Sequence, residues 1–100
     1  MKVTEAEIQR QIRDYLRWTG WFVIRNHQSL GSHRGLADLT AVKDGWVVWI
    51  EVKVPGGRQS KYQEEFQRQI EAHGGTYILA RSVEDVERAL EGVRHAAAGT

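Results

Sequence analysis

The sequence predicts an α/β domain, a single mixed β-sheet with flanking helices, in the order α-β-β-β-α-β-α. Three observations carry that prediction. Capping signals at Thr4, Ser60 and Ser82 each open a stretch with helical apolar spacing. Asp44-Gly45 divides two apolar runs as a two-residue hairpin turn. The runs 46–53 and 76–80 are separated by a helix, so a crossover should bring them together in parallel.

Taken in order, Thr4 and Glu7 have the spacing of a capping box, and the first helix should run from Glu5 to Trp18. Its apolar stripe is Ile8, Ile12, Tyr15 and Leu16, and Gly20 ends it. Trp21 to Arg25 reads as a short strand, and the polar, glycine-containing stretch from Asn26 to Gly35 as a long loop. The hairpin follows, with strands 39–43 and 46–53, and then a turn, VPGGR, holding the sole proline. Ser60 and Gln63 form a second capping box, opening a helix to about His73 with Tyr62, Phe66 and Ile70 on its buried side. Gly74-Gly75 stops it before the strand 76–80. Ser82 and Asp85 open a last helix to about Leu90, with Val83, Val86, Ala89 and Leu90 facing inward. Residues 1–91 then form one domain, and residues 92–100 are expected as a flexible tail.

Composition narrows the class. One hundred residues make one domain with one core. No apolar run approaches a membrane span and the N-terminus lacks a signal-peptide core, so a cytoplasmic protein without membrane association is expected. The absence of cysteine excludes disulfides and thiolate metal sites, which favours a hard cation held by oxygen. Net charge is only +1, but it is unevenly spread. Residues 25–61 carry six basic side chains (Arg25, Arg34, Lys43, Lys53, Arg58, Lys61) against three acids, whereas residues 62–100 carry four against seven. A polyanion is expected to sit on the middle segment.

The hairpin carries the chemistry. A two-residue turn sets Lys43 opposite Trp46, and the same register sets Asp38 opposite Glu51. Carboxylates so placed, with Cβ atoms roughly 5 Å apart, repel, and a divalent cation between them is the simplest compensation. Lys53, two residues beyond Glu51, points to the same face. The competing reading is a solvated charged strand end. Glu5 projects onto the middle of the first helix's apolar stripe; it either shares the cation or meets the helix dipole from the first turn. Gln63 either completes its capping box or orients water or Lys53, and capping is the better-supported role. His27 and His33 could be metal ligands, bases or phosphate contacts; contact with nucleic acid, together with Arg25 and Arg34, is the preferred reading. Gly31 and Gly35 could let the backbone approach a phosphate. Arg58 and Lys61 form a further basic cluster beside Lys53.

Asp38 with Glu51-x-Lys53 resembles the PD-(D/E)xK nuclease signature, and the chain is more specifically similar to VRR-NUC domains. The matching pieces are Glu5-x-x-Ile8-Gln9, Gly20-Trp21, Arg25-Asn26, Gly35-Leu36-Ala37-Asp38 and Ile50-Glu51-Val52-Lys53. They continue through Pro55-Gly56-Gly57-Arg58, Gln63, Gly74-Gly75 and Arg81-Ser82, spanning roughly residues 4–90 in order. The resemblance implies a restriction-endonuclease-like core and a DNA phosphodiesterase dependent on Mg2+ or Mn2+. It implies Asp38 and Glu51 as metal ligands, helped by the Val52 carbonyl and, directly or through water, by Glu5. Lys53 would position or deprotonate the attacking water, and Gln63 would orient Lys53 or water. Ala37 stands where the family has a proline before the aspartate.

Stand-alone members of that type, from phages and bacteria, are associated with homodimers that act on four-way (Holliday) DNA junctions. A homodimer on branched DNA is therefore expected, with Trp18, Trp21 or apolar parts of the hairpin at its interface. The alternatives are a flap, nicking or restriction-type nuclease with the same site, and a DNA-binding module of this fold that no longer cleaves. The joint presence of Asp38, Glu51 and Lys53 speaks against the last.

Overall fold

A computed structural model describes residues 2–29 and 31–98, with side chains described as far as Val93. The elements are α1 (Glu5–Trp18), β1 (Phe22–Arg25), β2 (Leu39–Lys43), β3 (Trp46–Val52), α2 (Lys61–Ala72), β4 (Thr76–Ala80) and α3 (Val83–Ala98). The expected order and fold class hold. The strands lie in the order β1-β2-β3-β4. The first two pairings are antiparallel and β3–β4 is parallel, as a helical crossover requires. Lys43 faces Trp46 and Leu39 faces Ile50, which is the register the Asp44-Gly45 turn dictates. Both turn residues have positive φ, 51° and 82°, as a type I′ turn needs.

Side chains alternate across the sheet. Val23, Ala41, Val48, Ile50, Val52, Ile78 and Ala80 point to one face, where Ile8, Ile12 and Leu16 of α1 and Val86 and Leu90 of α3 cover them. Trp49, Tyr77 and Leu79 point to the other, against Phe66 and Ile70 of α2. β3 is thus covered on both faces, which accounts for its nearly continuous apolar sequence. Toward β1 the second face is uncovered: Phe22 is 66% exposed, and Ile24 and Val47 are also open to solvent.

Three expectations change. Tyr62 is not on the buried side of α2 but 54% exposed. It lies in the helix's first turn, where side chains lean toward the N-terminus and so past the end of the sheet. Glu5 is exposed for the same reason, overhanging the core at the start of α1 rather than sitting in the apolar stripe. The last helix passes Leu90 and continues to Ala98. A single Gly92 within the helix, with the strong helix formers Ala96, Ala97 and Ala98 further on, does not stop it. Of the expected tail, residues 99 and 100 lie outside the described residues.

Candidate active site

The sheet register delivers the two acids to one place. The β1–β2 ladder continues past Arg25 through a hydrogen bond from Asn26 N–H to the Asp38 carbonyl (2.9 Å). The Asn26 side-chain amide donates to Ala37 O (3.0 Å) and to Thr40 Oγ1 (2.9 Å), bracketing Asp38 on both sides. Asp38 Oδ2 in turn accepts the Val52 N–H at 2.8 Å, so one carboxylate oxygen is fixed against the end of β3.

Glu51 follows Ile50 on β3 and is only 2% exposed. Gln63 Nε2 donates to its Oε2 at 2.8 Å, and Lys53 Nζ lies 3.9 Å from the same oxygen. Its other oxygen, Oε1, is buried without a hydrogen-bond partner. Burial, then the neighbouring Asp38 carboxylate, push the Glu51 carboxyl up from 4.5 to about 8; Lys53 pulls the other way. Without a cation, this acid is held largely protonated at neutral pH. Tyr77, buried beneath, is also pushed up by burial and by Glu51, and its hydroxyl accepts from Gln59 Nε2 at 3.1 Å.

Lys53 N–H donates to the Ala80 carbonyl (3.0 Å), extending the parallel ladder one residue beyond β3 and fixing the lysine's direction. Gln63 completes its capping box and also reaches the acids, through Glu51 rather than through Lys53. Its Oε1 accepts from Ser60 N–H (2.8 Å), its N–H donates to Ser60 Oγ (3.1 Å), and its Nε2 is left for Glu51. The box at α1 is simpler, with Thr4 Oγ1 accepting from Glu7 N–H.

These groups line a cleft of about 430 Å³ together with Glu5, Gln9, Arg25, Asn26, His27 and Gln28. Of the expected site residues, Asp38, Glu51, Lys53, Gln63, Glu5, Arg25 and His27 therefore share one cleft. His33 and Arg34 line an adjoining recess instead, and neither Arg58 nor Lys61 lines either cavity. Gly35 lines that recess too, but what demands glycine there is the packing behind it. A Cβ there would lie 2.1 Å from the Tyr62 carbonyl oxygen, so this glycine (φ 76°) is needed for the loop to dock on α2. Asn26 lay inside a matching motif, yet its tethering role depends on the β1 register, which the short strand did not announce.

Among the described residues, no group of three or more His, Cys, Asp or Glu side chains is arranged to hold a metal. The acidic pair nevertheless fits a hard cation. It offers two carboxylates, one of them with an orphaned buried oxygen, and Mg2+ characteristically takes one or two carboxylates, with waters and substrate phosphates completing its shell.

A family model described as archaeal Holliday junction resolvase matches residues 2–90. Two solved structures share the fold. One, described as a VRR_NUC domain, is 20% identical with a TM-score of 0.77, the match covering 89% of this chain and 97% of the other. The second, a VRR_NUC domain protein, is 16% identical with a TM-score of 0.73, covering 91% and 88%. The VRR-NUC resemblance read from the motifs is thus matched by the fold. No curated protein matches the chain.

Proposed function

Since the chain belongs to the archaeal Holliday junction resolvase family, we propose that it is a divalent-metal-dependent endonuclease that cuts four-way DNA junctions as a homodimer. The observation that carries the reading is the buried Glu51, with one unpartnered oxygen, beside Asp38 and Lys53 on the floor of a cleft. A carboxylate placed there is costly unless a cation meets it.

Asp38, Glu51 and the Val52 carbonyl would hold Mg2+ or Mn2+, with Glu5 reaching it through water. Such an ion lowers the pKa of bound water and neutralises charge developing on the phosphate. The chain's own groups do the rest. Val52 N–H fixes Asp38, and Gln63 fixes Glu51 through Oε2 and leaves Oε1 for the cleft. Lys53, mostly buried and anchored through its backbone, orients the attacking water and offers its ammonium to a non-bridging phosphate oxygen. Arg25 and His27 over the cleft, His33 and Arg34 in the recess, and Arg58 and Lys61 beyond it supply backbone contacts that position DNA without reading its sequence.

The dimer reading is supported by the open end of the sheet. Phe22, Val42 and Val47 lie in one row across β1, β2 and β3, on the same face as the acids. With Ile24 beside them, they offer an apolar surface of the kind that marks a protein interface, whereas Trp18, 89% exposed, stands at the end of α1, which covers the opposite face. Trp21 packs on the core and is left out of that surface. Sedimentation showing only monomer at micromolar concentration would refute the dimer. For the activity, labelled four-way junction, flap and linear duplex are incubated with Mg2+, Mn2+ or EDTA. Paired junction incisions lost in EDTA and in Asp38→Ala support the proposal; equal cutting of linear duplex defeats its structure selectivity.

A further inference from the structure

The recess beside the acidic cleft has a volume of about 400 Å³ and shares Gln28 and Gln63 with it, so a strand leaving the cleft can run straight into it. Its charged side chain is Arg34, which sits on Tyr62. The guanidinium carbon is 4.9 Å from the ring centroid, and Nη1 donates to the Tyr62 hydroxyl. Among the described residues no carboxylate pairs with Arg34, whereas Arg10, Arg68 and Arg88 each have one. The pair is exposed, and neither the loop nor α2 depends on it. The loop is docked by Gly35 against the Tyr62 backbone and by the His33 ring edge-on to Phe66 (5.6 Å), and α2 is closed by its own capping box. An exposed cation–π contact adds only about 0.5–1 kcal/mol.

What the arrangement achieves is aim. Arg34 is held on a rigid ring, loses little freedom on binding, and keeps most of its five N–H donors for a ligand. From this geometry we infer that Arg34, positioned by Tyr62, grips a DNA phosphate flanking the scissile one on the cut strand. The inference rests on the proposed DNA-cutting function and adds a specific subsite to it. Tyr62 acts through Arg34 and is a positioning residue.

The test measures binding of a fluorescent four-way junction in Ca2+, which permits binding without turnover, over a range of salt. Arg34→Ala is expected to bind about tenfold more weakly, the loss of one charged hydrogen-bonding contact. Its slope of log K against log salt should fall by about 1. Tyr62→Ala should weaken binding similarly at unchanged melting temperature, and the double variant should bind no worse than Arg34→Ala alone. Arg10→Ala, which alters an exposed pair on α1, should bind as wild type. Single neutral methylphosphonates stepped through the positions flanking the cut should weaken wild type at one position and leave Arg34→Ala indifferent there. Unchanged affinity and slope in Arg34→Ala, or a methylphosphonate penalty equal to that of wild type, overturns the inference while leaving the nuclease reading intact. A wild-type protein that neither binds nor cuts any DNA overturns both.

Discussion

Glu51 ties the site to stability in a way that can be read without any substrate. Its carboxyl is held at about 8 in the fold, by burial first and by Asp38 second, against 4.5 without those influences. Between those values the folded protein keeps a proton that the unfolded chain has lost. Stability contributed by the protonated form is therefore complete below about pH 4.5 and declines as pH rises toward 8. With one more proton on the folded state, the slope is about −1.4 kcal/mol per pH unit. From about pH 5.5 to 7.5 the metal-free protein should lose on the order of 2 kcal/mol, which for a domain of this size lowers Tm by roughly 10 °C. Thermal melting in EDTA across that range, wild type beside Glu51→Gln, isolates the effect, because Glu51 is the one ionisable group that differs between them. The glutamine variant should lack this decline, and its curve should cross that of wild type. Saturating Mg2+ should abolish the wild-type decline, since the ion holds the ionised carboxylate and the folded and unfolded states then carry the same number of protons at Glu51. Parallel curves for the two proteins in EDTA would refute the claim that Glu51 is buried as a neutral acid.

Four further outcomes follow from the same contacts. Mg2+ at about a hundred times its Kd should stabilise the wild type by about 2.7 kcal/mol, and Asp38→Asn should remove that gain in thermal melting. Gln63→Leu should lower metal-supported junction cleavage by about 10–100-fold in single-turnover assays, the usual cost of freeing a ligand from its outer partner. Asn26→Ala leaves the Ala37 carbonyl and Thr40 hydroxyl without this donor, and should cost about 1–3 kcal/mol by urea unfolding. Gly35→Ala, forced against the Tyr62 carbonyl at a positive φ, should cost about 2 kcal/mol and lower junction affinity in the same measurement.

Local signals placed most of the fold. Asp44-Gly45 fixed the hairpin register, and through it the meeting of Asp38 with the end of β3, because a two-residue turn leaves one way to pair the strands. The capping residues Thr4 and Ser60 set helix starts that agree with the structure. What local signals could not give is where a helix ends relative to the sheet beneath it. Periodicity assigns Tyr62 and Glu5 to the buried faces of their helices, but a stripe is buried only where something lies under it, and both residues sit in first turns that overhang the core. The extension of α3 to Ala98 is a related case: Gly92 weakens a helix without ending it.

The site was legible to the extent that one hairpin carries it, and illegible where the parallel crossover builds it. Asp38, Glu51 and Lys53 are tied by strand period and turn length alone. The crossover from β3 to β4 then lays α2 across the sheet with its first turn at the carboxyl end of β3. That brings Gln63 against Glu51 and Tyr62 against the loop that precedes Asp38. No spacing in the sequence encodes a contact between residues 34 and 62. It arises because the same helix start that caps itself through Ser60 also receives the Gly35 backbone. One structural joint therefore serves two purposes: it holds the acid that would bind the metal, and it aims an arginine with no carboxylate partner among the described residues into the recess beside it. Gly35→Ala tests that linkage, since loosening the joint should disturb Gln63 and Arg34 together. Glu51 ionisation and junction affinity should then shift in one variant, and a change in either alone would show that the two halves of the site are built independently.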